Sequence, residues 1–295
     1  MNIIGLNRQT QGELYVVSAS FIEAWFPIAT FYLAHSLGGV HALFYSLLIA
    51  GVLLGFYSLW SGRYREFADT SAYPALLKTS LIMSTLFMLI FMGAQYTTAS
   101  HVALIIFLQL LFAYLYFQRS LEEKLNRQHL LGAVLMGLGA IIILFPMGEV
   151  WRINLGDGLV LIAAMLAPLG NFYQKQARRK VASTNILLSR SLIGIPLVYW
   201  MATVFETEPT WQMIQSQWPW LLFSGAMIFV VAKILWMESL HRLAITKVNA
   251  LYAVSPLLTL VLAYWLLNEV PSFWQLLAVL PILLGGYLIT RPATE

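Results

Sequence analysis

The chain carries one long pattern twice, and any fold it adopts has to accommodate the duplication. Thr97 through Pro146 aligns without a gap on Leu243 through Pro292, 146 positions later. Val102 falls on Val248, Leu111 on Leu257, Leu121 on Leu267, Glu123 on Glu269, Gly139 on Gly285 and Pro146 on Pro292. Each copy passes from a long apolar segment, through a short polar link holding the glutamate, into a second apolar segment that closes on the proline. Duplicated membrane halves are how many secondary carriers build two related gates around one central site.

Composition places that pattern in a bilayer. Hydrophobic residues make up 60% of the chain and charged residues 10%, with a mean hydropathy of +0.75. A soluble domain carries about 25% charged residues. At about 20 residues per crossing, the chain has room for about ten short-looped helices and no sizeable extramembrane domain. With no cysteine, disulfides, thiolate metal sites and cysteine nucleophiles are excluded. The stretch from Met1 to Gly12 is polar with one cation, Arg8, and the apolar run after it contains Glu23. It reads as a retained helix, not as a cleaved signal peptide.

Apolar runs between polar breaks give ten segments, at about 13–35, 40–61, 74–94, 97–118, 128–146, 156–177, 185–206, 216–238, 245–268 and 272–290. Short links force neighbours to be antiparallel. The expected fold is an all-α integral membrane protein of ten transmembrane helices, built as two inverted five-helix repeats over residues 1–146 and 147–295. Five spans per half, an odd number, turns the second copy upside down, and inverted halves can open a shared site to either side in turn.

Cations set the orientation, because cytoplasmic loops retain Lys and Arg. With the N-terminus inside, Arg8, Arg63, Arg65, Lys78, Arg119, Lys124, Arg127, Lys175, Arg178, Arg179, Lys180, Arg190, Arg242, Lys247 and Arg291 fall on the inner side or at its helix ends. The outer side receives Arg152 alone, and Lys233 lies within a segment. Both termini are therefore expected in the cytoplasm. The net charge of +4 is a topology signal and does not point to nucleic acid; the basic run from Lys175 to Lys180 reads as a loop near anionic lipid.

The same residues resemble a family. Thr98-Ala99 leading to Glu123, then Gly132, Gly137 and Gly139 before Pro146, is similar to an EamA-type repeat of the drug/metabolite transporter superfamily. So is Ala244 leading through Pro256 to Glu269, then Gly285-Gly286 before Pro292. Gly156-Asp157-Gly158 followed by Ala163-Ala164 resembles the family's start of its sixth helix. The resemblance implies ten helices, inverted repeats and movement of small polar metabolites, often export of amino acids and related compounds across the inner membrane of bacteria. Leu283 and Ala278 stand where the first half has Gly137 and Gly132, which predicts looser packing by the last helix.

Two ionisable residues sit where the bilayer makes them costly. Glu23 is near the middle of the first segment, as a substrate-ammonium contact, a proton-coupling site or a structural carboxylate. Lys233 lies in the eighth, where its stem can also snorkel to the inner interface. Together they complement a zwitterion, or they neutralise each other when no cargo is bound. His101 and Lys247 occupy equivalent repeat positions, as do Gln109 and Ser255, and Ala103 and Asn249. His101 reads as a gate or pH-responsive residue, or as a satisfied interfacial one. Gln109, Asn171, Tyr173, Asn249, Tyr252 and Ser255 are polar candidates for a cavity, with helix-to-helix bonding as the alternative. Trp25 and Trp236 are candidates for an aromatic lining. Pro27, Pro168, Pro196, Pro256 and Pro281 each remove a helix donor and free a carbonyl.

No His-Glu-x-x-His motif, phosphate-binding glycine loop or Gly-x-Ser-x-Gly elbow is present, and the five histidines show no ligand spacing. The reading is a carrier and not an enzyme, without cofactor or metal, whose partners are a small-molecule substrate and the lipid bilayer. Protons as coupling ion and a second copy of the chain as partner stay open. The alternative is a membrane scaffold or sensor that keeps the fold and moves nothing.

Overall fold

The computed structural model describes residues 7–117, 127–145, 154–243 and 245–290, and every regular element among them is a helix. Nine stretches are long and apolar enough to span a bilayer: Arg8–Leu37, Gly39–Trp60, Thr70–Gly93, Ala99–Phe117, Arg127–Leu144, Leu155–Arg178, Ser183–Phe205, Trp218–Arg242 and Phe273–Thr290. Ile245–Tyr252 and Val254–Leu267 form a further, broken span between the last two. Counted in chain order it is the ninth of ten. Glu123, Ala244, Pro146 and Pro292, which the sequence motifs include, lie outside the described residues.

Local chemistry fixes the ends. Asn7 starts the first span by accepting from the Gln9 N–H, and Asn154 starts the sixth by accepting from Gly156. Thr98 caps the fourth through the His101 N–H. The first span begins at Arg8, ahead of the apolar boundary near residue 13, because this cap and a polar turn carry the helix beyond its hydrophobic part. The eighth runs on to Arg242, beyond its apolar part, as a polar last turn holding His241 and Arg242.

The packing is two-fold in plan. The first span lies against the eighth and ninth, and the sixth lies against the third and fourth. The second pairs with the seventh and the fifth with the tenth. Exchanging the halves maps each of these contacts onto another. Inside, Phe26, Phe87, Phe91 and Phe229 pack edge to face, with Phe87 and Phe229 centred 4.9 Å apart. This ring cluster joins the first, third and eighth spans at mid-height. Large apolar side chains such as Phe56, Trp200 and Trp265 face outward, as lipid-facing residues do.

The tenth span does not pack loosely. A Cβ on Gly132 would stand 2.7 Å from the Gly285 carbonyl oxygen, and one on Gly285 would stand 2.5 Å from that of Gly132. Gly139 sits against Ile282 and the Ala278 carbonyl. Gly137 faces open space. The seam is made by the glycines that face it, and Ala278 is small enough to leave it closed, so Leu283 at the counterpart of Gly137 costs nothing there.

Candidate functional site

Four spans lose regular α-helical geometry at mid-membrane. The first is interrupted at Trp25, the fourth at Leu108 and the ninth at Ala253. The eighth runs as a π-helix from Phe223 to Ala232, immediately before Lys233. Two of these interruptions have a cause in the sequence. Pro27 lacks the N–H that would bond the Glu23 carbonyl, and Pro256 does the same to Tyr252. Beside the first break Thr259 donates to the Ala24 carbonyl at 2.9 Å. The wider π turn is a device common at functional sites.

The first, fourth and ninth spans meet around a small cavity lined by Glu23, Pro27, Gln109, Tyr252, Ser255 and Thr259, among others. Its volume is about 30 Å³, room for about two water molecules. On its other side Glu23 meets the eighth span: the Lys233 ammonium donates to Glu23 Oε1 at 2.5 Å. The Glu23 side chain is 6% exposed and that of Lys233 19%. Lys233 does not snorkel. Its ammonium also lies 5.6 Å from the centre of the Phe87 ring.

The other sequence candidates divide. Gln109, Tyr252 and Ser255 share the cavity with Glu23. Trp236 packs edge-on against Tyr252 at 4.8 Å, one layer behind it. Trp25 stands at the break in the first span against Trp220 and Phe223. Asn171 is exposed, and Tyr173 lies under the Lys78 ammonium at 5.0 Å, so neither reaches the cavity. Asn249 is on the ninth span, with its side chain outside the described residues. His101 is at the end of its span, with Nδ1 at 2.9 Å from Asp157, which also accepts from the Thr97 hydroxyl. Lys247 pairs with Glu13 at the opposite end. Among the described residues no three His, Asp or Glu side chains stand together as a metal set would require.

Carboxylates clasp helix N-termini across the halves. Glu206, after the seventh span, accepts from the Val40 and His41 backbone N–H groups at 3.0 Å each and from the Gln95 amide at 2.7 Å. The chain turns there at Gly38, where φ is +85° and a side chain would strike Glu206. Glu66, after the second span, accepts at the opposite end from the Ala182 N–H at 2.6 Å and the Asn185 amide at 3.0 Å. Glu269 accepts from the Ala99 and Ser100 N–H groups at the start of the fourth span.

One residue was assigned wrongly from sequence. Arg190 counts there as an inner-side cation, yet it is 6% exposed. Its guanidinium lies 5.3 Å from the Phe87 ring centre, on the same ring as Lys233, and reaches Gln174 Oε1 at 3.5 Å. The signal that finds it is depth: starting from Ser183, Arg190 is about 10 Å along the helix at 1.5 Å per residue.

Comparison with known proteins fits this architecture. The EamA-like transporter family matches the chain twice, over residues 10–145 and 154–291. The chain belongs to that family. Relatives of this chain include an uncharacterized transporter of Synechocystis, sll1164, 26% identical over 68% of this chain and 60% of that protein. The chain thus matches less than two thirds of sll1164's length. An uncharacterized transporter of Bacillus subtilis, YoaV, is 24% identical over 72% of this chain and 76% of its own. A Klebsiella pneumoniae protein named probable 4-amino-4-deoxy-L-arabinose-phosphoundecaprenol flippase subunit ArnF is 25% identical over 41% of this chain and 93% of itself. One solved crystal structure superposes with a TM-score of 0.68 at 16% identity, over 95% of this chain and 96% of that one, a likeness of fold alone.

Proposed function

We propose that this EamA-like transporter is a secondary carrier of a bacterial inner membrane, with both termini cytoplasmic, that exports a small amino-acid-like metabolite by alternating access. The observation that carries the reading is the buried Glu23–Lys233 pair, 2.5 Å apart, with Glu23 also facing the cavity. A buried ion pair is weak as a stabilising device, since its desolvation offsets most of its attraction. A site that must release and rebind a charged amine uses it well. The cargo ammonium takes Glu23, and Lys233 moves to the cargo's acid group. The small cavity corresponds to a closed state between the two open ones, and interrupted helices supply the places where spans can bend.

Counterflow in proteoliposomes tests the reading, with labelled neutral, aromatic, basic and acidic amino acids, nucleosides and quaternary amines. Saturable counterflow of an amine-bearing class is the expected result. Folded, reconstituted protein that exchanges none of the panel overturns it. Glu23→Gln, which removes the carboxylate that takes the cargo ammonium, is expected to abolish both proton-driven flux and exchange. A variant that behaves like wild type in both assays makes Glu23 structural.

A further inference from the structure

The charges at the centre do not close. Glu23 neutralises Lys233, but Arg190 has no carboxylate within ion-pair distance among the described residues. Its bonding is one long contact to the Gln174 oxygen and the face of Phe87. A guanidinium has five donors and cannot shed its proton in a protein. Held 94% buried by packing in a bilayer-spanning helix, it is a costly group with most of its donors unused. An inert bundle has no reason to keep it.

Its position gives it a use. Arg190 and Lys233 lie against the same Phe87 ring, at 5.3 and 5.6 Å. Phe26, which lines the cavity, packs edge-on against Phe87 at 5.9 Å. Lys233 touches the cavity residue Glu23 directly, while Phe26 and Phe87 stand between the cavity and Arg190 and have to turn aside for a cargo to reach the guanidinium. With Glu23 counted, the centre holds one positive charge in excess. A cargo of net charge −1 cancels it, whereas a neutral zwitterion leaves it standing in low dielectric.

We infer that Arg190 is an anion-binding residue of the central site and that the cargo is an amino acid carrying a second acid group. The cargo amine sits on Glu23, and its two acid groups are shared by Arg190, bidentate through its fork, and the released Lys233. This deepens the carrier reading above and rests on it.

The test uses the full chain and two readouts: thermal stabilisation by ligand in detergent, and counterflow in liposomes. The probes are an acidic, a neutral and a basic amino acid, applied to wild type, Arg190→Lys and Arg190→Gln, each checked for monodispersity. Wild type is expected to bind and exchange the acidic probe at least about tenfold better than the neutral one, the size of one charged hydrogen-bond pair. Arg190→Gln should erase that preference, and Arg190→Lys should restore part of it. A wild type that exchanges neutral or basic probes in preference overturns this inference and leaves the carrier standing, without reliance on any variant. An Arg190→Gln protein that keeps the acidic preference also overturns it. Folded wild type that neither binds nor exchanges any probe overturns both readings.

Discussion

Where the first and eighth spans meet, Glu23 holds Lys233; where their counterparts, the sixth and third, meet, the same places are apolar. Lys233 falls on Phe87 at the 146-residue spacing. Glu23 falls on Ala164 when Pro27 is matched to Pro168, and on Ala167 when Gly12 is matched to Gly156. Both alanines are buried. The carboxylate clasps behave in the opposite way: Glu206 holds the start of the second span and Glu66 the start of the seventh, one from each half. Duplication has kept the clasps at the two ends of the molecule, and has been abandoned at the buried pair in its centre.

The largest effect should come from breaking the pair on one side only. Lys233→Met leaves a carboxylate buried without its partner, and breaking a buried pair in this way costs about 3–5 kcal/mol. Melting in mild detergent should drop accordingly. Adding Glu23→Gln should recover most of the loss, because neither remaining group is charged, while transport stays absent. A double variant no more stable than the single one would show that the two residues do not depend on each other.

The comparison also explains what could be read in advance. Ten spans and their approximate limits follow from hydropathy because each helix has to cover the hydrocarbon layer whatever its neighbours are. The breaks at Trp25 and Ala253 carry a signal in Pro27 and Pro256. The break at Leu108 and the π-helical stretch of the eighth span have no proline at the matching place. Glu23 and Lys233 stand out singly as ions in apolar runs, but their meeting, 210 positions apart, depends on the tertiary pairing of first and eighth spans. Arg190 was misassigned because counting cations per side ignores depth. Asn171 and Tyr173 show the converse, since polarity within a span does not tell which face it occupies.

The clasps offer a middle-sized effect whose direction is the informative part. Glu206→Gln and Glu66→Gln each replace charge-assisted bonds to helix N-termini by neutral ones, weakening one end of the molecule by about 1–2 kcal/mol. The chain has no cysteine, so Ala103→Cys, on the cavity wall, can be labelled cleanly. With an impermeant maleimide applied from outside, labelling should rise several-fold with Glu206→Gln and fall with Glu66→Gln. Movement in the same direction for both would mean the clasps do not act as opposed gates.

The smallest effect separates two glycines of one helix. Gly132→Ala pushes a methyl toward the Gly285 carbonyl oxygen, 2.7 Å away, and the Ile289 nitrogen, 2.9 Å away, backbone atoms that cannot rotate aside. Overpacking of this kind costs about 1–3 kcal/mol, and it should part the fifth span from the tenth. Gly137 meets nothing within 4 Å, so Gly137→Ala gains helix propensity of up to about 1 kcal/mol without a clash. The two variants should therefore shift the melting temperature in opposite directions. Equal shifts would mean that the backbone seam between the terminal spans of the two halves is not what holds them, and that each repeat keeps its fifth helix by itself.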